Sequence, residues 1–163
     1  TLLSRSRKGL TTTAWCWKRG DMRKKYEKPS DLKKERVVAE EYGKYFDLEM
    51  HKMGELFCAD YQGWADFKEV CIVEIKCREN AHDKYDDYMI SEQKVLKCQE
   101  YSDKHRVGLY LVVRFTDGTY QRRIKPGDMF KTRIGGRTDR NDEQDMETVC
   151  LIPMNTFFEL ENA

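Results

Sequence analysis

The sequence predicts an α/β fold in which a mixed β-sheet of four or five strands is flanked by helices. Helical periodicity appears in residues 31–46 and 91–101, and apolar runs typical of buried strands cover residues 70–77 and 107–115. The order of elements, helix, hairpin, helix, hairpin and strand, is typical of α/β domains and contains no internal repeat. A chain of 163 residues is long enough to bury one hydrophobic core.

The first helix is predicted to follow Pro29 and to end near Phe46, because residues suited to an N-cap come directly after the proline. Apolar residues then recur at helical spacing, which indicates one buried face. The candidate N-caps are Ser30 and Asp31, and the apolar stripe consists of Val38, Tyr42 and Tyr45. We place a boundary at the proline, with a basic N-terminal arm over residues 1–29 and the folded domain over residues 30–163.

A β-hairpin is predicted next, with strands over residues 55–62 and 70–77 and a turn over residues 63–69. The second strand is apolar on both faces except at Glu74 and Lys76, which is typical of a central strand. Charged side chains inside such a strand are unusual, because burying an ion costs several kcal/mol unless it is paired or bound to a metal. The hairpin therefore holds the first candidate for a functional site.

A second helix and a second hairpin follow. Ser91 is a suitable N-cap for the helix, which we expect to end near Tyr101. The hairpin consists of a buried strand over residues 107–115, an Asp-Gly turn, and a strand over residues 120–124.

Residues 125–148 are predicted as a polar surface loop, followed by a last strand over residues 149–153. The loop segment from Gly135 to Arg140 lacks the Lys-Ser/Thr pair of a nucleotide-binding loop, so we interpret it as a plain loop whose arginines, Arg137 and Arg140, could touch a nucleic acid. The aromatic residues expected in the core are Tyr110, Phe115, Phe157 and Phe158.

Positive charge is concentrated at the beginning of the chain. Residues 1–34 contain eleven Lys or Arg and only three acidic residues, so this segment carries about +8 although the whole chain carries +1. A basic arm on a mildly acidic body is an electrostatic pattern for binding a polyanion. The arm residues expected to contact a nucleic acid are Lys18, Arg19, Arg23, Lys24 and Lys25. A solvated tail without a binding role is the alternative.

Cysteine, histidine and hydropathy patterns argue against several other classes. The six cysteines form no C-x-x-C pair, which predicts reduced, buried thiols and neither a zinc site nor a disulfide framework. His51, His82 and His105 are scattered, so no histidine-metal motif is recognisable. No apolar run approaches the roughly 18 residues that a membrane-spanning helix needs, so we expect no membrane partner and a cytoplasmic location.

Strand geometry brings three charged side chains into one candidate site. Glu74 and Lys76 project from the same face, because side chains alternate along a strand with a period of two. If the hairpin turn lies within residues 65–69, Asp60 falls opposite Glu74 on the neighbouring strand. Two carboxylates this close repel unless a cation lies between them, and an oxygen-rich site with few ligands suits Mg²⁺ or Mn²⁺. Such an ion would activate a water for attack on a phosphate, and the Lys76 ammonium would assist.

The identity of the aspartate is open at this stage. Asp66 is the alternative to Asp60, although it would put the turn among the apolar residues 68–72, which is poor turn chemistry. The E-x-K spacing alone is a weak signal, because Glu92-Gln93-Lys94 repeats it on a predicted helix. A cross-strand ion pair on an exposed face is the alternative interpretation of Glu74 and Lys76.

The layout of residues 35–124 resembles the PD-(D/E)xK nuclease superfamily, which includes restriction endonucleases and Holliday-junction resolvases. The shared order is helix, strand with Asp, strand with E-x-K, helix and strand. The stretches VEIKCREN, YMISEQKVLKC, LVVRFTDG and GGRTDR are similar to small phage-encoded members. One departure is Ala59, which stands before the aspartate where the family name has proline.

The resemblance implies a restriction-endonuclease-like core and Mg²⁺-dependent hydrolysis of phosphodiester bonds in DNA. Carried over by position, Asp60 and Glu74 are expected to be metal ligands and Lys76 the catalytic lysine. Many members add a glutamate from the first helix. Glu41 is our candidate for it, because it borders the apolar stripe, whereas Glu40 points away.

Three further residues are candidates for the site. In similar proteins the helix after E-x-K presents a Gln or Lys to the active site, which implicates Gln93 and Lys94. Arg78, just past Lys76, is expected to hold a backbone phosphate, and a solvated charge at the strand end is the alternative. The implied partners are DNA and either a second copy of the chain or a viral assembly partner, in the host cell cytoplasm or a virion. The alternative functions are a catalytically quiet DNA-binding or structural component of a viral particle, and an RNA endonuclease with the same chemistry.

Overall fold

The computed structural model describes residues 28–55, 57–136 and 146–161. The five arm residues expected to bind nucleic acid lie outside these ranges, as do Arg137 and Arg140 of the predicted loop. Helix α1 spans Pro29–Phe46 and helix α2 spans Glu92–His105. Neither of these helices combines the length with the hydropathy that crossing a bilayer requires.

Both helices have ends that the sequence explains. Pro29 occupies the first turn of α1, where its missing N–H is tolerated, so the helix begins slightly before the predicted N-caps. Asp31 still caps this end, because its carboxylate accepts a hydrogen bond from the backbone N–H of Lys28 at 3.2 Å. Ser91 caps α2 as predicted, and its hydroxyl accepts from the backbone N–H of Lys94.

Nine strands are present in the described ranges, and they form two sheets. A mixed sheet has the strand order β1-β2-β3-β5-β6-β9, with β3 and β5 parallel and the other neighbours antiparallel. A smaller antiparallel sheet has the order β4-β8-β7. The strands are β1 Glu49–Lys52, β2 Tyr61–Ala65, β3 Lys68–Cys77, β4 Asp87–Ser91, β5 Gly108–Phe115, β6 Gly118–Arg123, β7 Lys131–Gly136, β8 Met146–Pro153 and β9 Phe158–Glu159. The predicted class, a mixed sheet with flanking helices, is confirmed, although the strands are more numerous than the four or five expected.

The hydrophobic core lies on both faces of the central pair β3 and β5. On one face, Val73 and Ile75 pack with Val38 and Tyr42 of α1. On the other face, Ile72 of β3 packs in a cluster that includes Val95 and Cys98 of α2 and Ile152 of β8. Because side chains alternate along β3, Glu74 and Lys76 belong to the face that meets α2.

The β2–β3 hairpin differs from its predicted boundaries. Its turn is formed by Asp66 and Phe67, which have φ angles of 49° and 60°, and two positive φ angles are typical of a two-residue hairpin turn. Gly63, which we predicted to be in the turn, lies inside β2. A Cβ at this position would be 2.6 Å from the Cys71 sulfur on the facing strand, so the glycine permits a close approach of side chains rather than a turn.

Three further predictions from the sequence are wrong. The predicted strand over residues 55–62 begins only at Tyr61, while the unpredicted strand β1 lies just before it at Glu49–Lys52. The predicted loop over residues 125–148 contains β7 and the start of β8. The side chains of β7 are mostly exposed, so this strand lacks the apolar pattern that reveals a buried one. Phe158 on β9 is 72% exposed and is not a core residue.

Candidate active site

Asp60 and Glu74 converge at the end of the hairpin opposite the turn. Tyr61 pairs with Val73, so Asp60, one residue before β2, falls opposite Glu74. The backbone N–H of Asp60 donates to the carbonyl of Val73 at 3.2 Å. In return, the backbone N–H of Ile75 donates to the Asp60 carboxylate at 2.8 Å. These two bonds direct the Asp60 side chain toward the face that carries Glu74. Asp66 lies at the other end of the hairpin, in the turn.

Two lysines neutralise the buried carboxylate of Glu74. Glu74 is only 2% exposed. The ammonium of Lys76 lies 2.7 Å from its Oε1 and 3.8 Å from Oδ2 of Asp60, so it bridges the two acids. Lys94, on the first turn of α2, lies 3.0 Å from Oε2 of Glu74. The structure therefore brings four of the residues singled out from the sequence into one cluster: Asp60, Glu74, Lys76 and Lys94.

Burial and charge act differently on the two acids. Burial raises the pKa of Glu74 above its ordinary value, because the attraction of Lys76 and Lys94 offsets desolvation only in part. At Asp60 burial also opposes ionisation, but Lys76, Lys94 and the N–H of Ile75 outweigh it and lower the pKa. Burial tends to lower the pKa of Lys76, and the two carboxylates reverse this and raise it. The cluster thus keeps its ammonium charge and at least one ionised carboxylate.

A fifth and a sixth residue, Glu35 and Lys52, adjoin this cluster and were missed in the sequence. Glu35 is the buried glutamate of α1, and its carboxylate is hydrogen-bonded to the ammonium of Lys52 on β1. That ammonium is also 3.8 Å from Oδ1 of Asp60. Burial raises the pKa of Glu35, against the opposing effect of Lys52. A signal for Glu35 was available, since it lies three residues before Val38 and seven before Tyr42, on the buried face of the helix.

Glu41 does not join the cluster. Its carboxylate pairs with the guanidinium of Arg114 on β5, which also donates to the hydroxyl of Thr119. Glu41 lies on the side of α1 away from Ala39 and Tyr42, the residues that face the sheet. The apolar stripe assumed from the sequence included Tyr45, which is exposed, and this moved the expected buried face toward Glu41.

An open cleft with a volume of about 580 Å³ exposes one side of the cluster. Its lining includes Glu74 and Lys76 of β3 and Gln93 and Lys94 of α2. Arg78, immediately after β3, lies at its edge, with the guanidinium 5.3 Å from the ring centroid of Tyr88. The Gln93 and Arg78 side chains are thus placed where a substrate in the cleft would meet them.

The donor atoms of the cluster fit a divalent cation. Both oxygens of Glu74 are buried, and the ammonium groups of Lys76 and Lys94 lie 2.7 Å and 3.0 Å from them. Asp60 adds a second carboxylate from the facing strand. Carboxylate oxygens are the ligands that Mg²⁺ and Mn²⁺ prefer. The Lys76 ammonium, which bridges both acids, supplies the positive charge that a cation would bring to the same place.

A second group of metal-ligating residue types lies elsewhere, on the surface. His82, Asp83 and Asp117 each offer one ligand atom, and these three atoms lie within 4.8 Å of one another. The Nδ1 of His82 is already engaged, because Oδ2 of Asp117 lies 2.6 Å away and the hydroxyl of Tyr120 3.1 Å away. The five cysteines in the described part of the chain are free thiols. The cluster around Glu74 is the better candidate because it combines buried donors with a cleft.

Comparisons with known proteins identify a family and a fold for this chain. The sequence profile of a family described as "Phage putative PDDEXK endonuclease" matches residues 21–160. Among solved structures, the chain is similar to Hjc, a Holliday junction resolvase from the hyperthermophilic archaeon Archaeoglobus fulgidus, with a TM-score of 0.54 and 14% sequence identity. That similarity covers 80% of this chain and 92% of the resolvase, and at this identity it shows the fold. No curated protein matches the chain.

Proposed function

The chain belongs to the phage PDDEXK endonuclease family, and on this basis we propose that it is a Mg²⁺- or Mn²⁺-dependent nuclease that hydrolyses phosphodiester bonds in DNA. The observation that carries the proposal is the convergence of Asp60, Glu74 and Lys76, with the Lys76 ammonium between the two carboxylates. Burial of these charges costs free energy, and a catalytic role in a nuclease accounts for their presence.

Each member of the cluster has a distinct proposed role. Asp60 and Glu74 hold the divalent cation, and when bound this ion supplies Lewis-acid chemistry for phosphodiester hydrolysis. Lys76 is proposed as the catalytic lysine, because its ammonium lies at the cleft and can stabilise negative charge on the scissile phosphate. Lys94 holds the second oxygen of Glu74 and so fixes the orientation of that carboxylate.

Glu35 takes the place that we expected for Glu41. It acts through Lys52, whose ammonium lies between the Glu35 carboxylate and Oδ1 of Asp60. We propose that Glu35 and Lys52 are positioning residues for Asp60. They maintain its ionised form and its direction, in the way that outer partners tune metal ligands in other proteins.

DNA is the proposed substrate, in part because the structural neighbour is named as a Holliday junction resolvase. Arg78 at the edge of the cleft is proposed to hold a backbone phosphate. The basic arm, residues 1–29, is proposed to add contacts to the DNA backbone without base specificity. The site of action of a phage nuclease would be the host cell cytoplasm or the virion.

A cleavage assay with plasmid and linear DNA tests the proposal. The wild-type chain should cut with Mg²⁺ and stop when EDTA removes the metal. Glu74→Ala and Lys76→Ala should each lower the rate by about 100-fold or more. The matched controls are Glu40→Ala and Lys44→Ala, two exposed charges of α1, which should leave the rate unchanged.

Three results would decide against the assignment. Full activity in Glu74→Ala and Lys76→Ala would show that any cleavage comes from another site or from a contaminant. Tight DNA binding without metal-stimulated cleavage would favour a binding or structural component of a viral particle. Preferential cleavage of RNA in a mixture with DNA would change the substrate class.

A further inference from the structure

A second cavity, of about 510 Å³, adjoins the proposed catalytic cleft and has no role in the mechanism above. Arg78, Tyr88 and Met89 line both cavities, so the two spaces share a wall. A DNA strand whose phosphate lies at Glu74 and Lys76 can therefore extend over Arg78 toward the second cavity. Such an extension of the strand rests on the proposed nuclease function and concerns the substrate of that same site.

Tyr88 gives an independent indication that a ligand binds here. The residue is 6% exposed, and its hydroxyl is buried and finds no hydrogen-bond partner among the described residues. A buried hydroxyl without a partner is unfavourable, so an acceptor bound in the adjoining cavities would stabilise it. The Arg78 guanidinium over the Tyr88 ring adds a positive charge at the same junction.

The chemistry of the second cavity suits a nucleobase. Tyr85 is 60% exposed, so a base can reach its ring, and the Lys84 ammonium lies 5.2 Å from the ring centroid. The acidic residues Asp86 and Asp87 also line the cavity. They would repel a phosphate but accept hydrogen bonds from the amino groups of a base. Arg133 also lines this cavity, where its guanidinium donates to the Met89 sulfur at 2.9 Å, and it adds a positive charge that suits a neighbouring phosphate.

We propose that the second cavity binds the base of a nucleotide next to the scissile phosphate, stacked on Tyr85, with the Tyr88 hydroxyl as a hydrogen-bond donor to the strand. A base enters such a cavity only after it leaves the duplex stack. The substrate class is therefore DNA with an unpaired nucleotide beside the cut, as in a single strand or at a branch or mismatch.

Abasic DNA provides the test. The cut is first mapped on one oligonucleotide, and an abasic nucleotide is then placed at each of three positions on either side of it. Tyr85→Ala should slow cleavage of normal DNA about tenfold, because base–aromatic stacking is lost. At one position the abasic nucleotide should slow the wild type by the same factor. There the variant and the abasic change together should slow cleavage no more than either one alone.

Two further variants complete the experiment. Tyr45→Ala, which removes an exposed tyrosine of α1, is the matched control and should cleave like the wild type. Tyr88→Phe should slow cleavage about tenfold while the midpoint of thermal unfolding stays unchanged or rises, since the hydroxyl it removes has no partner in the free protein.

The outcomes separate the two proposals. The base-binding cavity would be overturned, with the nuclease left in place, if the effects of Tyr85→Ala and of the abasic nucleotide multiplied at all six positions. Unchanged cleavage by Tyr85→Ala would have the same consequence. Equal rates on a mismatch-free duplex and on the same DNA with an unpaired nucleotide would also overturn it. Absence of metal-stimulated cleavage by the wild-type chain would overturn both proposals.

Discussion

The backbone N–H of Ile75 donates a hydrogen bond to the carboxylate of Asp60, which lies 2.8 Å away and one residue before the neighbouring strand β2. Ile75 stands between Glu74 and Lys76, so this one bond fixes Asp60 against the strand that carries both of its partners. The bond also favours the ionised carboxylate and contributes, with the nearby lysines, to the lowered pKa of Asp60. The position of the aspartate is thus set by strand pairing rather than by a mobile loop.

Thermal unfolding should reveal the metal ligands directly. A ligand that binds only the folded state at 100 times its Kd adds about 2.7 kcal/mol of stability. For a chain of this size that corresponds to a rise in Tm of about 5–10 °C when Mg²⁺ or Mn²⁺ is added. Asp60→Asn and Glu74→Gln should lose this rise, and EDTA should reverse it in the wild type.

Asp66→Asn is the matched control for this measurement. Asp66 lies in the hairpin turn with a positive φ, a conformation that Asn also accepts, so the variant should fold normally and keep the metal-dependent rise in Tm. If Asp66→Asn lost the rise in Tm and Asp60→Asn kept it, the metal ligand would be Asp66 in the hairpin turn. That result would contradict the proposed site.

The pairing of Asp60 with Glu74 could be predicted from the sequence, because it depends on local alternation and on the length of one hairpin. The observed partners Tyr61 and Val73 obey the register that was predicted. Gly63 led to the wrong prediction of the turn. A glycine is needed here because the Cys71 sulfur on the facing strand leaves no room for a Cβ. A close approach of this kind has no signature in a single sequence.

Helical spacing places Glu35 on the buried face of α1 but does not connect it to Asp60, because its partner Lys52 lies on a strand that was not predicted. Strand β1 has four residues, which are mostly polar and exposed, so it carries no apolar alternation. Without β1 there was no reason to place Lys52 near Asp60. The choice among the glutamates of α1 then depended on the exact centre of an apolar stripe, and Tyr45 shifted that centre.

Replacement of Glu35 and Glu41, two of the three glutamates of α1, separates their roles. Glu35→Gln should lower DNA cleavage about 10–100-fold, because loss of its charge releases Lys52 from the place where it holds Asp60. Glu41→Gln should keep activity within about twofold and lower the free energy of unfolding by at most about 1 kcal/mol, since its pair with Arg114 is partly exposed. Cleavage rates and urea unfolding curves of both variants provide the measurement. The reverse order of activities would restore Glu41 as the site residue.

Titration of the Cys71 thiol should lower the free energy of unfolding at high pH. Burial raises the pKa of this thiol from 9.0 to about 11. The unfolded chain releases the proton near pH 9, whereas the folded chain keeps it until about pH 11. The contribution of this thiol to the free energy of unfolding is therefore complete below pH 9 and is lost as the pH rises through this window. At pH 10 the loss is about 1 kcal/mol.

Cys71→Ser, which has no group that titrates in this range, isolates the effect. Urea unfolding at pH 8, 9 and 10 should show the wild type losing about 1 kcal/mol more than the variant between the first and last pH. Parallel decreases in the two proteins would show that the Cys71 thiol does not keep its proton in the folded state.

The salt dependence of DNA binding tests the basic arm without any assumption about its structure. Each neutralised phosphate contributes about 0.9 to the negative slope of log K against log salt concentration. Replacement of Lys18, Arg19, Arg23, Lys24 and Lys25 by Gln should therefore reduce the magnitude of the slope by up to about 4–5, equally for unrelated DNA sequences. The control replaces five basic residues of the described domain, Lys44, Lys68, Arg123, Lys125 and Lys131, and so makes the same change in net charge. If the control reduces the slope as much as the arm variant does, net charge alone explains the binding. A reduction confined to the arm variant means that the arm lies along the DNA backbone, because only released counterions change this slope.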